Sequence, residues 1–217
     1  MKPVPNMSSP EEQEAMRKSQ FEAMIQEKMD KENPGWSELQ LSISTWAEDS
    51  FGPTTALVTA RRANTEMAEL QKELVKGVKE EICEEAADVA IVAIRIFYLL
   101  HSDIRRELAL LPAEYRKQIL EPTLDVKVAM ANLAMAELIR DMTVYHGSDV
   151  RGLDGAALRA AVLSRNAILF VRLMDITLHF NEPLIDLVAG KMIINRKRVW
   201  LKNGDGTGHH VRVEDGR

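Results

Sequence analysis

Two helix-forming segments on either side of Gly77 constrain the fold of this chain most strongly. In the stretch NTEMAELQKELVKGVKEEICEEAADVAIVAIRI, good helix formers dominate and the glycine is the one break. Glu69 lies eight residues before Gly77 and Glu85 lies eight after it; Glu66 and Asp88 lie eleven residues before and after the same glycine. If the chain reverses at Gly77, Glu69 and Glu85 lie at the same height in the two helices, about 12 Å from the turn. The spacing predicts four carboxylates converging between two antiparallel helices.

Converging carboxylates repel one another unless a cation lies among them. Oxygen ligands without histidine or cysteine suit Mg2+ or Mn2+. Because Mg2+ bridges carboxylates to phosphates, the pattern favours a polyphosphate substrate attacked by a metal-activated water. The alternative, a solvated acidic helix face without a metal, stays open on spacing alone.

The composition narrows the class of protein. The 217 residues include 46% hydrophobic and only 5% aromatic residues, which favours helices. A net charge of -5 gives no broad attraction to nucleic acid or to an anionic membrane. Cys83 is the only cysteine, so a disulfide framework and a thiolate zinc site are excluded. The N-terminus lacks the apolar region of a signal peptide, and we expect a cytoplasmic protein.

Helix start and stop signals along the chain predict an all-α fold, most simply a helical bundle. We expect an N-terminal extension with a helix in residues 1–35, an all-α domain in 36–200 and a flexible tail or flap in 201–217, which is glycine-rich and can form a small hairpin. The elements expected within the domain are a helix over 37–50, the hairpin 54–101 with Thr54 or Thr55 as its cap, helices over 124–142 and 154–180 with Asp154 as a cap, and a last helix over 183–199.

The two acidic motifs resemble a known enzyme family. The ExxE motif beginning at Glu66 and the ExxD motif beginning at Glu85 are similar to the signature of the all-α, MazG-like nucleoside triphosphate pyrophosphohydrolases. The stretches TWAEDSFGP, KMIINRKRVW and GDGTGHH resemble the phage and bacterial branch of dATP/dGTP pyrophosphohydrolases. The similar blocks cover roughly residues 42–97 and 183–210.

This resemblance implies a MazG-like four-helix bundle with extra helices and a defined reaction. A purine deoxynucleoside triphosphate, dGTP or dATP, would be cleaved between its α- and β-phosphates to a monophosphate and pyrophosphate. It implies Mg2+ as cofactor, with Mn2+ as a substitute, and a role in nucleotide-pool control, in the host cytoplasm if the chain is phage-encoded. The metal ligands implied are Glu66, Glu69, Glu85 and Asp88.

The sequence departs from the family at one position. Many relatives begin the first motif with two adjacent acids, and the extra acid is a candidate for activating water; here that position is Thr65. The general base therefore stays open. The candidates are Glu69, which could serve while it bridges a metal, Glu73 and Glu84.

Candidate substrate-binding residues lie outside the hairpin. Lys191, Asn195 and Arg198 are spaced to share one helical face, where they can bind phosphate oxygens. The alternative is a basic last turn that complements the helix dipole. Trp46 and Phe51 can stack on a purine base, although isolated aromatic residues are more often part of a core.

A second hairpin resembles the first. ANTEMAELQKE returns as ANLAMAELIRD sixty-eight residues later, which predicts an internal duplication with a degenerate copy in 124–180 that packs against the first. Such a chain would contain the four helices that shorter relatives assemble by dimerising. Chance similarity between alanine-rich helices is the alternative. The alignment pairs Glu69 with Glu137, Glu66 with Ala134, Glu85 with Leu163 and Asp88 with Asn166.

Two other classes of metal enzyme do not fit this sequence. A di-iron carboxylate bundle needs Glu-x-x-His pairs, and a His-Asp metal hydrolase needs that dipeptide; neither pattern occurs. A dUTP or dCTP pyrophosphatase of the same fold, or a non-enzymatic helical interaction module, stays open. Met130 and Met135 with their alanine neighbours suggest a helix surface suited to a homo-oligomer, a dimer or tetramer.

Overall fold

Eight helices and one small hairpin make up the residues that the structure describes. The computed structural model describes residues 35–117, 123–147 and 154–210. This part of the chain is all-α, as the sequence predicts, apart from the short hairpin. The elements are α1 (Trp36–Phe51), α2 (Ala56–Lys76), α3 (Lys79–Leu99), α4 (Ile104–Leu110), α5 (Ala113–Lys117), α6 (Leu124–His146), α7 (Gly155–His179), α8 (Leu184–Lys197), β1 (Trp200–Lys202) and β2 (Gly208–His210).

The turn between α2 and α3 is determined by local sequence. Thr55 caps α2, and its hydroxyl oxygen accepts a hydrogen bond from the backbone N–H of Val58 at 3.2 Å. Gly77 ends the helix with φ of +74°, a left-handed conformation that residues with a Cβ rarely adopt. The predicted helical hairpin and its cap are therefore confirmed.

Two helix pairs build the core. α2 packs along α3 and α6 along α7; α2 also contacts α6, and α3 contacts α7. The ion pairs of Lys127 with Asp175 and of Glu137 with Arg165 show that α6 and α7 run antiparallel. α1 covers the bundle through Trp36, whose ring lies edge-on to that of Phe170 with centroids 4.8 Å apart. The acidic hairpin thus lies on a rigid scaffold.

Several element boundaries differ from those predicted. Two short helices, α4 and α5, lie between the hairpins; Asp103 caps α4, and Pro112 directly precedes α5. α6 continues to His146, four residues past the predicted end, and α8 ends at Lys197, two residues before it. The helix predicted in residues 1–35 lies outside the described residues, except for Gly35. No described helix combines the length and apolarity needed to cross a membrane.

Aligned residues of the two hairpins have similar burial in the structure. Met67 and Met135 are both buried, as are Ala63 and Leu70 in the first segment and the aligned Ala131 and Leu138 in the second. Asn166, which aligns with Asp88, is buried and donates a hydrogen bond from Nδ2 to the carbonyl oxygen of Ala93 at 2.9 Å, so that it joins the hairpins. Met135 packs inside the chain's own core and so is not part of an exposed helix surface, which corrects its predicted place; the oligomer itself stays a prediction. The duplication itself stays a prediction.

Candidate functional site

Three of the four motif acids meet between α2 and α3. Glu66, Glu85 and Asp88 each place a carboxylate oxygen within 4.8 Å of the other two. Glu69 is exposed and stands outside this trio, yet its charge raises the pKa of both glutamates. The predicted convergence is therefore present for three acids, with the fourth close enough to add to their repulsion.

Burial makes the carboxylate trio hard to ionise. Burial raises the pKa of Glu66 to about 7, which the guanidinium of Arg62 opposes and Asp88 reinforces. Burial likewise raises the pKa of Glu85 to about 7, with a further rise from Asp88. The pKa of Asp88 is also raised by burial, against the opposing ammonium group of Lys191. A site of this kind favours any cation that can neutralise it.

The donor set fits a hard divalent cation. Within the part of the chain that the structure describes, no group donates a hydrogen bond to the buried Oε2 of Glu85. A buried carboxylate oxygen without a partner is costly, and a metal ion would satisfy it. Clustered carboxylate oxygens without nitrogen or sulfur ligands suit Mg2+ or Mn2+.

Two basic side chains hold the carboxylates in this structure. Arg62 forms an ion pair with Glu66, four residues further along α2. Lys191, which is only 6% exposed, reaches from α8 so that its Nζ lies 2.9 Å from Asp88 Oδ2 and 3.2 Å from Glu84 Oε2. Each cation therefore pairs with one of the trio.

The raised pKa values predict that, without a divalent cation, the protein loses stability as the pH rises. A carboxyl group whose pKa is higher in the folded chain stabilises the fold fully below its ordinary pKa of 4.5 and loses that contribution as the pH rises through about 7. We expect the free energy of unfolding in EDTA, measured with urea, to fall between about pH 5 and about pH 8, and saturating Mg2+ to reduce the fall. Glu85→Gln should flatten the curve; an equally steep curve for this variant would contradict the prediction.

The candidate general bases lie in different surroundings. Glu73 lies nearer the Gly77 turn and accepts a hydrogen bond from Lys76 Nζ at 2.8 Å. Glu84 has an exposed side chain and pairs with Lys191. Glu69 has no ion pair among the described residues and lies beside the carboxylate trio, so it is the best placed of the three to accept a proton from water.

A cleft opens beside the carboxylates. It encloses about 610 Å³ of space outside protein atoms, including the part that opens to solvent, and both Glu66 and Asp88 line it. The aromatic rings in the cleft pack edge-to-face against one another, and the ring centroids of Trp46 and Phe51 lie 5.3 Å apart. The other lining residues are Ile43, Ala47, Thr59, Arg62, Ile91, Val92, Arg95, Asn195, Trp200, Thr207 and Gly208.

Of the predicted phosphate-binding residues, Asn195 lines this cleft, whereas Lys191 and Arg198 are not among its lining residues. Asn195 lines it from α8, and its Oδ1 accepts a hydrogen bond from Arg198 Nη1 at 3.1 Å. Arg198 lies just beyond the end of α8, so it does not continue the helical face as predicted. Its charge still lowers the pKa of Asp88, which shows that the guanidinium acts on the carboxylate trio.

Three residues of the site carry no predicted role. Arg62 could have been anticipated, since its position four residues before Glu66 favours an ion pair on a helix. Arg95 interrupts an apolar run, which signals a buried charge with dedicated partners, but not which partners. Trp200 lies in a segment that resembles the family, yet nothing in its spacing indicates contact with α1.

Comparison with known proteins adds no relative. No family model, no curated protein and no solved structure matched the chain. The resemblance of the motifs to MazG-like enzymes therefore stays a prediction, and the geometry of the site carries the functional argument.

Proposed function

We propose that the protein is a Mg2+-dependent nucleoside triphosphate pyrophosphohydrolase that acts on purine deoxynucleoside triphosphates, dGTP or dATP. The observation that carries this proposal is that Glu66 and Asp88 belong both to the carboxylate trio and to the lining of the aromatic cleft. Phosphates held at the acidic end would place a base at the aromatic end. The resemblance of the motifs supports the choice of reaction and of purine substrates.

The reaction has a simple balance of bonds. A water oxygen forms a bond to the α-phosphorus, the bond from that phosphorus to the oxygen bridging to the β-phosphorus breaks, and pyrophosphate leaves with the electron pair. Mg2+ bound by the carboxylates would activate the water and neutralise phosphate charge. The proton released by the water would pass to a carboxylate, for which Glu69 is our candidate.

The chain's own residues would position the triphosphate. Lys191, which pairs with Asp88, and Arg198, whose charge acts on the same carboxylate, would bind phosphate oxygens, with Arg198 offering a bidentate guanidinium. Trp46 and Phe51 would contact the base through their ring faces and edges. A nucleotide in this orientation would span the cleft from the acids to the rings.

Assays of product identity test the reaction. With Mg2+, we expect dGTP and dATP to give the monophosphate and pyrophosphate in equal amounts, faster than dCTP or dUTP. Release of inorganic phosphate with a diphosphate product would contradict the proposal, because attack would then be on the γ-phosphate. Higher rates with dUTP or dCTP would support the pyrimidine alternative.

A helical interaction module is the alternative of a different class. Its acidic residues would be indifferent to Mg2+, so calorimetry with Mg2+ and a non-hydrolysable dGTP analogue would show no binding. Control of the nucleotide pool in the cytoplasm and assembly into a dimer or tetramer are further parts of our proposal.

A further inference from the structure

The C-terminal hairpin carries a tryptophan into the cleft. The ring centroid of Trp200, at the start of β1, lies 5.7 Å from that of Trp46 and 5.2 Å from that of Phe51. Its Nε1 donates a hydrogen bond to the main-chain oxygen of Asn195 at 2.8 Å. Because the backbone takes up the polar atom of the indole, the surface that Trp200 offers to the cleft is apolar ring.

Several contacts build the hairpin into the wall of the cleft. The guanidinium of Arg95, a buried residue of α3, donates a hydrogen bond to the carbonyl oxygen of Gly206 at 3.1 Å. Thr54 donates one from its hydroxyl to the carbonyl oxygen of Asp205 at 3.0 Å. A Cβ added to Gly208 would lie 2.6 Å from a ring carbon of Phe51, so β2 needs glycine to approach this closely. The hairpin is therefore a part of the cleft.

The ring geometry limits where a base can lie. Trp46, Phe51 and Trp200 meet edge-to-face, with interplanar angles from 71° to 82°. A base sandwiched between two rings needs them parallel and about 7 Å apart, twice the optimal separation of carbon atoms. A base in this cleft must therefore stack on one side of the ring cluster.

We propose that Trp200 is a base-binding residue, with its ring face stacked on the nucleobase of a nucleotide whose phosphates lie at Glu66 and Asp88. This inference deepens the function proposed above and rests on it for the nature of the ligand. Stacking accepts any base, but a purine offers the larger ring surface and gains more from it. The C-terminal hairpin then contributes directly to substrate preference.

Calorimetry with Mg2+ and two ligands that contain no phosphoanhydride bond tests the role of Trp200. The probe dGMP carries a base, whereas deoxyribose 5-phosphate has the same sugar and phosphate without one. Trp200→Leu should weaken dGMP binding by roughly 5- to 150-fold, the range that one base–aromatic stack is worth. Trp200→Phe should retain most of the affinity, and binding of the base-free ligand should be the same in all three proteins.

Two variants serve as matched controls. Leu201→Ala changes the neighbouring, half-exposed residue of the same strand, and Trp36→Phe changes a core tryptophan that is not part of the cleft lining. Both should bind dGMP as the wild type does. Wild-type affinity for dGMP in Trp200→Leu, or an equal loss for both ligands, would overturn the inference.

Because neither ligand can be hydrolysed, binding is measured without turnover, which separates this inference from the proposed function. Loss of dGMP affinity in Trp200→Leu supports the inference even if the wild type hydrolyses no triphosphate with Mg2+, an outcome that would contradict the enzymatic proposal alone. Conversely, normal hydrolysis by the wild type together with wild-type dGMP binding by Trp200→Leu would overturn the inference alone.

Discussion

Replacing Asp88 with asparagine should lower the rate of pyrophosphate release from dGTP by at least about a hundredfold. The substitution nearly preserves shape but removes one negative charge from the carboxylate trio, so the proposed metal would lose a ligand that positions both water and phosphate. Because tenfold in rate corresponds to about 1.4 kcal/mol, a loss of several kcal/mol of transition-state stabilisation gives an effect of this size. Single-turnover assays at saturating dGTP and Mg2+ measure it directly, and Glu69→Gln should also be strongly impaired.

Glu137→Gln is the matched control for this loss. Glu137 aligns with Glu69 in the second hairpin, but its carboxylate pairs with Arg165 at 2.9 Å. An arginine thus provides the positive charge there, and we expect turnover within about twofold of the wild type, because Glu137 belongs neither to the carboxylate trio nor to the cleft lining. If Glu137→Gln abolished turnover as fully as Asp88→Asn, the division into a working and a degenerate hairpin would be wrong.

Glu85→Gln should separate activity from stability. It removes a buried charge whose pKa is raised by burial and by Asp88, so the metal-free fold should become more stable at neutral pH while turnover falls. Thermal unfolding in EDTA measures the stability. A lower unfolding temperature together with normal turnover would count against the metal-site interpretation.

Replacing Lys191 with methionine should change metal binding and substrate binding in opposite directions. The ammonium group of Lys191 forms an ion pair with Asp88 in this structure. A metal cation that enters the site therefore competes with this ammonium group for the carboxylate. Without that competition, the affinity for Mn2+ alone should rise about tenfold, a modest part of the interaction between two close, partly buried charges. The KM for dGTP should rise by about tenfold or more, because a phosphate-binding cation is lost.

Lys79→Met is the control for this second prediction. Lys79 forms a comparable ion pair with Glu182 at 2.7 Å, but at the start of α3 and outside the cleft lining. The affinity for Mn2+ and the KM for dGTP should both match those of the wild type. If Lys191→Met bound Mn2+ more weakly, then Lys191 would support the metal site rather than compete with the metal.

The acidic hairpin could be predicted because its determinants are local. Thr55 as a cap, Gly77 as a left-handed helix end and the equal spacing of acids about the glycine all act within a few residues or along a regular helix. The regular rise of an α-helix then places Glu66 level with Asp88 once the chain reverses. Fold class followed for the same reason, since helix formers and helix ends recur along the described chain.

Boundaries without a regular pattern were harder to place. The two short helices after α3 lie in a stretch where Pro112 separates segments of seven and five residues, too short for a hydrophobic period to be recognised. The position of the Arg198 side chain depends on where α8 ends. The helix ends at Lys197 because the chain turns into β1, which begins at Trp200 and packs close to α1. Packing, rather than propensity, set these ends.

The sequence by itself placed Glu66 opposite Asp88, because helical geometry relates positions equally distant from Gly77, but it did not show that Glu69 lies outside the trio. Only the tertiary structure decided what surrounds them. Lys191 reaches Glu84 across 107 residues, and Arg95 reaches Gly206 across 111. No local propensity or period relates residues so far apart in the chain; their contacts follow from how α8 and the C-terminal hairpin pack against the acidic hairpin, which buries the charges and closes the aromatic cleft.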